Sequence, residues 1–137
     1  MSTSDSAPNP ALLALANKLF DLARQGDTAA LEPYLRAGAP ADLTNDNGDS
    51  LIMLASYHGH ADTVRSLLRH QADPNRVNDK GQTPLAAAIF KEHDEIIEAL
   101  LEAGASPLLG KPNALDCARL FGRENWEARL QEQTPRH

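Results

Sequence analysis

One stretch of this chain repeats itself at a fixed distance, and that repetition constrains the fold more than any other feature. Residues 45–60 read Asn-Asp-Asn-Gly-Asp-Ser-Leu-Ile-Met-Leu-Ala-Ser-Tyr-His-Gly-His, and residues 78–93 read Asn-Asp-Lys-Gly-Gln-Thr-Pro-Leu-Ala-Ala-Ala-Ile-Phe-Lys-Glu-His. They align without a gap at an offset of 33 residues. The register persists afterwards, pairing Val64 with Ile97, Leu67-Leu68 with Leu100-Leu101, and Ala72 with Ala105. A fixed period of this length means stacked supersecondary units, each burying its apolar face against the next. A generic helical bundle would not require the turns at Asp46-Asn47-Gly48 and Asp79-Lys80-Gly81 to recur at that spacing.

The repeat resembles the ankyrin repeat, whose period and T-P-L-H-x-A signature it matches. Thr83-Pro84-Leu85-Ala86-Ala87-Ala88 is the better copy of the signature, and Ser50-Leu51-Ile52-Met53-Leu54-Ala55 a looser one. Met53 and Ala86 stand where the family has its histidine, so that residue's hydrogen bonds to neighbouring loops are expected to be missing and the array to be less rigid. Weaker copies flank the two clear ones. Upstream, Leu19 to Ala39 keeps a helix pair without a turn motif, as an N-terminal cap would. Downstream, Asn113-Ala-Leu-Asp-Cys-Ala-Arg-Leu-Phe-Gly122 repeats the first helix at an offset of 30 residues, and Trp126 and Leu130 continue a second helix. The resemblance covers residues 17–130. It implies an all-α ankyrin-repeat solenoid of four helix-turn-helix units. Two full repeats at 44–76 and 77–109 stand between degenerate caps at 11–43 and 110–132. Flexible tails are expected at 1–10 and 133–137.

Local chemistry supports that organisation. Ser50, Thr83 and Asn113 are N-cap residue types before apolar helix starts. Pro84 follows at the first helical position, where a missing N–H costs nothing. Ala55 and Ala88 are small where repeats must stack closely. Gly59 suits a sharp turn between helices, with Glu92 in its place one repeat on. Asp62, Asp94 and Glu95 favour the start of the second helices through the helix dipole. Val64, Leu67 and Leu68, and likewise Ile97, Leu100 and Leu101, form apolar stripes at helical spacing. Truncating Leu68 or Leu101 to Ala is expected to cost about 2–5 kcal/mol. Gly38 and Gly104 sit where the second helices end, and Gln71 holds the matching place in the second repeat.

Composition excludes several classes. With Lys and Arg numbering 13 against 19 acidic residues, the net charge is −6. That disfavours nucleic-acid and anionic-membrane binding, both of which need an excess of cations. One cysteine, Cys117, permits no intrachain disulfide and fits a reducing compartment. The short run Ala11 to Ala16 lacks a basic flank, so the sequence reads as cytoplasmic, without signal or membrane span.

No motif carries catalytic chemistry, and a non-enzymatic chain without cofactor is expected. His58 and His60 straddle a helix end and a turn, a poor geometry for chelation; His60 and His93 occupy a position the family uses structurally. Cys117 matches Ala87 and Leu54 and reads as a small buried residue. Asp42, Asp46, Asp49, Asp73 and Asp79 suit tight turns, without the alternating oxygen ligands and distal Glu of a calcium loop. No metal site is expected.

What remains is a surface. In the ankyrin family the turn tips and the ends of the first helices line a concave groove. Alignment places there Thr44, Asp46, Asn47 and Asp49, then Val77, Asp79, Lys80 and Gln82. From the helix ends it adds Arg24, Gln25, Tyr57, His58, Phe90, Lys91, Leu120 and Phe121. The chain has only one Trp, two Tyr and three Phe, yet Tyr57, Phe90 and Phe121 fall at equivalent or adjacent positions in three successive repeats. They are expected to form an aromatic ladder along the groove, unless Phe90 and Phe121 fold back onto a neighbouring repeat. The expected function is capture of a protein partner with basic and apolar groups by a chain that is monomeric when unbound. A ligand- or metal-responsive regulator and a subunit self-associating through Trp126 or the groove are the alternatives.

Overall fold

The computed structural model describes residues 9–133, which form four helical hairpins. They pair α1 (Pro10–Gln25) with α2 (Thr28–Arg36), α3 (Leu51–His58) with α4 (Ala61–Arg69), α5 (Pro84–Lys91) with α6 (Asp94–Glu102), and α7 (Ala114–Leu120) with α8 (Glu124–Glu132). The first helices stack in order, α1 on α3, α3 on α5 and α5 on α7; α2, α4 and α6 form a second row behind them. The only extended pairings among the described residues are the single bridges Thr44–Ser50 and Gly110–Asn113, which close the turns. The expected all-α solenoid of four units is therefore the observed one. Residues 1–8 and 134–137 of the expected tails lie outside the described residues. Asn9 caps α1 and Pro10 opens it, so the helix starts inside the segment expected as tail.

The helix starts follow from side-chain capping. Ser50 Oγ accepts from Met53 N at 3.1 Å, Thr83 Oγ1 from Ala86 N at 3.1 Å, and Asn113 Oδ1 from Asp116 N at 2.7 Å. Each satisfies an amide with no intrahelical partner. Ala55, Ala88 and Ala118 are fully buried between successive first helices. The hairpin turns close through residues in the left-handed region, Gly59 at φ 84° and Glu92 at φ 61°.

Gln71 also adopts a left-handed conformation, φ 72°, where the equivalent Gly104 has φ 95°. A side chain there costs about 1 kcal/mol relative to Gly. Gln71→Gly should therefore stabilise the protein by about that amount. Thermal melts of the two proteins check this; an unchanged or lower melting temperature would contradict the register.

The apolar stripe of α4 differs from expectation. Val64 and Leu67 are fully buried, but Leu68 is only half-buried beside Arg65, Arg69, Ala99, Glu102 and Ala103. Small residues on α6 leave it uncovered. The large cost expected for Leu68→Ala belongs to Leu67 instead. The rest of the buried face of α4 is polar: Thr63 and Ser66 are fully buried and bond to α2.

Ser66 Oγ and His70 Nε2 both donate to the Glu32 carboxylate, with Arg69 3.8 Å away. His70, which has no companion in sequence, thus gains one across the repeat boundary. The Ser66 hydrogen bond, then that of His70, holds the Glu32 carboxyl below its usual range. A depressed folded pKa means that the unfolded state takes up the proton first. This contribution is complete above about pH 4.3, the ordinary glutamate value, and is lost as pH falls further through the folded value. The melting temperature should drop with acidification in that window, and Glu32→Gln should flatten the drop. An unaltered slope in the variant would rule this cluster out as its source.

Candidate binding groove

The ends of α3, α5 and α7 share one side of the stack with the turns between repeats. Tyr57, Phe90 and Phe121 are 41%, 42% and 44% exposed there, partly packed yet reachable. Phe90 and Phe121 meet edge to face, centroids 4.8 Å apart at 69°. Such a pair holds both rings in place without covering their outer edges. Phe121 does fold onto the neighbouring repeat, and it remains open to solvent while doing so. Tyr57 is braced by the His58 ring at 5.1 Å and by the Lys91 ammonium, 4.9 Å from its centroid.

The three rings surround a cleft of about 290 Å³ lined also by Met53, Gln82, Ala86, Ala87, Pro112 and Cys117. Its lining is uncharged and mostly apolar. Alignment points to Tyr57, Phe90, Phe121 and Gln82 but not to the other five. The available signal was Ala86, a methyl group where the signature carries an imidazole. The small side chain of Ala86 leaves room on that side of the cleft. Leu120, the positional equivalent of Phe90, is 69% exposed and outside the lining. Helix α7 ends one turn position early, and Phe121 takes the C-cap with φ −106° and ψ 11°, which brings its ring to Phe90 instead.

The other expected residues divide among neighbouring places. His58, Asp49 and Lys80 border an adjoining depression with Met53, Leu54, Tyr57 and Gln82. Arg24, Asp46 and Asn47 lie further along, beside Leu13, Asn17, Phe20 and Asn45. Arg24 is held by Asp21 at 2.8 Å. Asp79 is used in the scaffold, its backbone N–H donating to the Asn47 carbonyl at 3.0 Å.

The turns are tied together despite the missing signature histidines. Asn78, 8% exposed, donates its amide to Asp49 Oδ1 at 2.7 Å and to Gln82 Oε1 at 2.8 Å. Its own oxygen accepts from Lys80 N and Gln82 N. Lys111 N donates to the Gly81 carbonyl at 2.8 Å. The bonds of a histidine are absent at Met53 and Ala86, as expected, and asparagine and backbone groups join the turns by other routes.

A second set of ties runs behind the groove. His60 Nε2 donates to the Arg24 carbonyl at 2.7 Å, joining the second hairpin to the first. Arg123 holds the corresponding place in the fourth hairpin. It donates to the carbonyls of Ile89 at 3.2 Å, Phe90 at 2.9 Å and Phe121 at 2.8 Å. That fork fixes the backbone of both phenylalanines. Trp126 is engaged internally, its indole N–H donating to Asp94 at 2.9 Å, and Arg129 makes two bonds to Glu98.

The reactive residue types are in quiet settings. Burial, and secondarily Asp116, pushes the Cys117 thiol up, which keeps it protonated at neutral pH. Burial lowers His58, helped by His60, Arg24 and Lys91, so its ring is neutral. The His58 and His60 rings stack at 6.4 Å, and no group of three or more metal-ligating side chains assembles among the described residues. No described helix is long and apolar enough to cross a membrane.

Stacked helical hairpins with an open concave side define a repeat solenoid of the kind that presents an extended binding surface. A family model for ankyrin repeats in three copies matches residues 19–110, and the chain belongs to the ankyrin-repeat family. It is similar to an ankyrin repeat protein of Pseudomonas aeruginosa, 65% identical over 49 residues that make up 36% of this chain and 29% of that protein. Human ankyrin repeat domain-containing protein 29 is 42% identical over 55 residues, 39% of this chain and 18% of that protein. The matched stretches thus span less than a third of either relative's length. Among solved structures, the ankyrin repeat domain of human ASB11 superposes with a TM-score of 0.74 at 26% identity, covering 85% of this chain and 54% of that one. Ankyrin repeats are generally protein–protein interaction modules.

Proposed function

We propose that the chain is a non-catalytic binding module that captures a partner protein in the concave groove, with the aromatic cleft as the anchoring point. The observation that carries this reading is the cleft itself. Three of the few aromatic rings in the chain frame about 290 Å³ of apolar space open to solvent. Aromatic anchors in desolvated pockets supply most of the binding energy at interfaces. The volume suits one or two apolar side chains of a partner rather than a cofactor, for which pockets commonly run larger. At the N-terminal end of the groove the exposed Asp46 is free to meet a basic group of that partner. A reducing, cytoplasmic setting belongs to the same reading, in keeping with the buried thiol of Cys117.

Replacing Tyr57 and Phe90 by Ala together should weaken partner capture by at least about a hundredfold, since truncated hot-spot aromatics cost roughly 2 kcal/mol or more each. Both side chains are about two-fifths exposed, so the circular-dichroism spectrum should stay unchanged. Full capture by the double variant would reject the cleft as the anchor.

A further inference from the structure

We infer that the partner segment seated in the cleft carries a bulky apolar side chain flanked by carboxylates, so that this end of the groove takes an acidic stretch. The inference rests on the groove reading above and adds the chemistry of the occupant. The cleft lining has no charge, so its rim decides which flanking residues are accepted. Three exposed lysines lie near it. Lys91 lies over Tyr57, Lys80 borders the adjoining depression that shares Met53, Tyr57 and Gln82 with the cleft, and Lys111 precedes the wall residue Pro112. No ion pair among the described residues engages any of the three.

Two of the nearby carboxylates are engaged by other side chains. Asp49 accepts the Asn78 amide at 2.7 Å, and Asp116 lies 3.9 Å from Arg119. Much of the acidic charge lies elsewhere: α6 holds Asp94, Glu95, Glu98 and Glu102, and α8 holds Glu124, Glu127 and Glu132. A bulk charge therefore misdescribes the groove at this end. Unpaired ammonium groups beside an apolar cleft favour an apolar residue with acidic neighbours, through local complementarity rather than through the field of the whole molecule.

Three fluorescein-labelled peptides would test this, sharing a central Leu-Phe pair flanked by glutamates, glutamines or lysines. Fluorescence anisotropy would read their affinities for the full chain. The glutamate peptide should bind at least about fivefold more tightly than the lysine peptide, as two or three surface charge pairs allow. That margin should shrink as salt rises from about 0.01 M to about 1 M, where the screening length falls from about 30 Å to about 3 Å. Neutralising the rim with Lys80→Gln and Lys91→Gln should level the three affinities. Ala86→Met should weaken all three by filling the cleft, and Met53 at the equivalent position shows that this fold accommodates the side chain. Equal or tighter binding of the lysine peptide, still weakened by Ala86→Met, would overturn the acidic occupant and leave the groove reading standing. Failure of all three peptides to bind, or binding indifferent to Ala86→Met, would overturn both.

Discussion

Leu67→Ala is expected to cost about 2–5 kcal/mol of folding stability, while Leu68→Ala, the next residue on the same helix, should cost only about 1 kcal/mol. Leu67 is fully buried between the stacked hairpins, and its truncation leaves a cavity that rigid neighbouring repeats cannot close. Leu68 is half-buried against Ala99 of α6 and the C-cap residue Ala103, and already has solvent along one side. Because a domain holds only about 5–15 kcal/mol in total, the first change brings this chain close to unfolding. Stability in such an array comes from nearest-neighbour stacking, so losing one interface weakens the hairpins on both sides of it. Urea denaturation of both variants measures the difference directly. Equal costs would mean that α4 is rotated by roughly one residue, about 100°, from the orientation described.

The second large effect is at Gly110, which should not accept a side chain. Its φ is 90°, and a Cβ there would lie 2.7 Å from the Gly81 carbonyl oxygen and 3.0 Å from Thr83 Cγ2. The first of these atoms accepts the Lys111 N–H, and the second belongs to the residue that caps α5. Neither can move freely. Gly110→Ala should cost about 2–4 kcal/mol, combining backbone strain with displacement of the last turn. Gly104→Ala is the control: its φ is also positive, at 95°, but nothing lies within 4 Å of the added atom. It should cost only about 1 kcal/mol. Gly110→Ala should also weaken peptide binding beyond its effect on stability, since Pro112 next door forms part of the cleft wall. A cost no larger than that of Gly104→Ala would show that the turn yields, and would remove the reason for treating that wall as fixed.

The helix pairs were legible in the sequence because their determinants are local. A hydroxyl or amide at Ser50, Thr83 or Asn113 caps the helix that follows it, and the left-handed place at Gln71 is set by where α4 ends. Tyr57 and Phe90 were legible for the same reason, since a fixed period carries a helix-end residue to the same side of each hairpin, whereas Phe121 stands one residue off that period. What escaped depends on groups brought together from different repeats. Leu68 is uncovered because of alanines some thirty residues later, and Glu32 finds Ser66 and His70 only once α2 and α4 are side by side. Asn78 reaches Asp49 of the preceding repeat only once the two turns are side by side. The cleft is the sharpest case, because it joins room left by the small side chain of Ala86 to walls supplied by Pro112 and Cys117 of the next hairpin. The acidic residues of α6 and α8 weigh on the net charge without lining that cleft.

On the proposed reading, partners dock on the side of the stack bearing Tyr57, Phe90 and Phe121. An NMR titration of the isotope-labelled chain with a captured partner, or with the glutamate-flanked peptide, tests it most directly. Amide shifts should concentrate at Met53, Tyr57, Ala86, Phe90 and Phe121 and along the turns at Lys80 and Lys111. Shifts concentrated instead on the outer faces of α2, α4, α6 and α8, with the cleft residues silent, would contradict it.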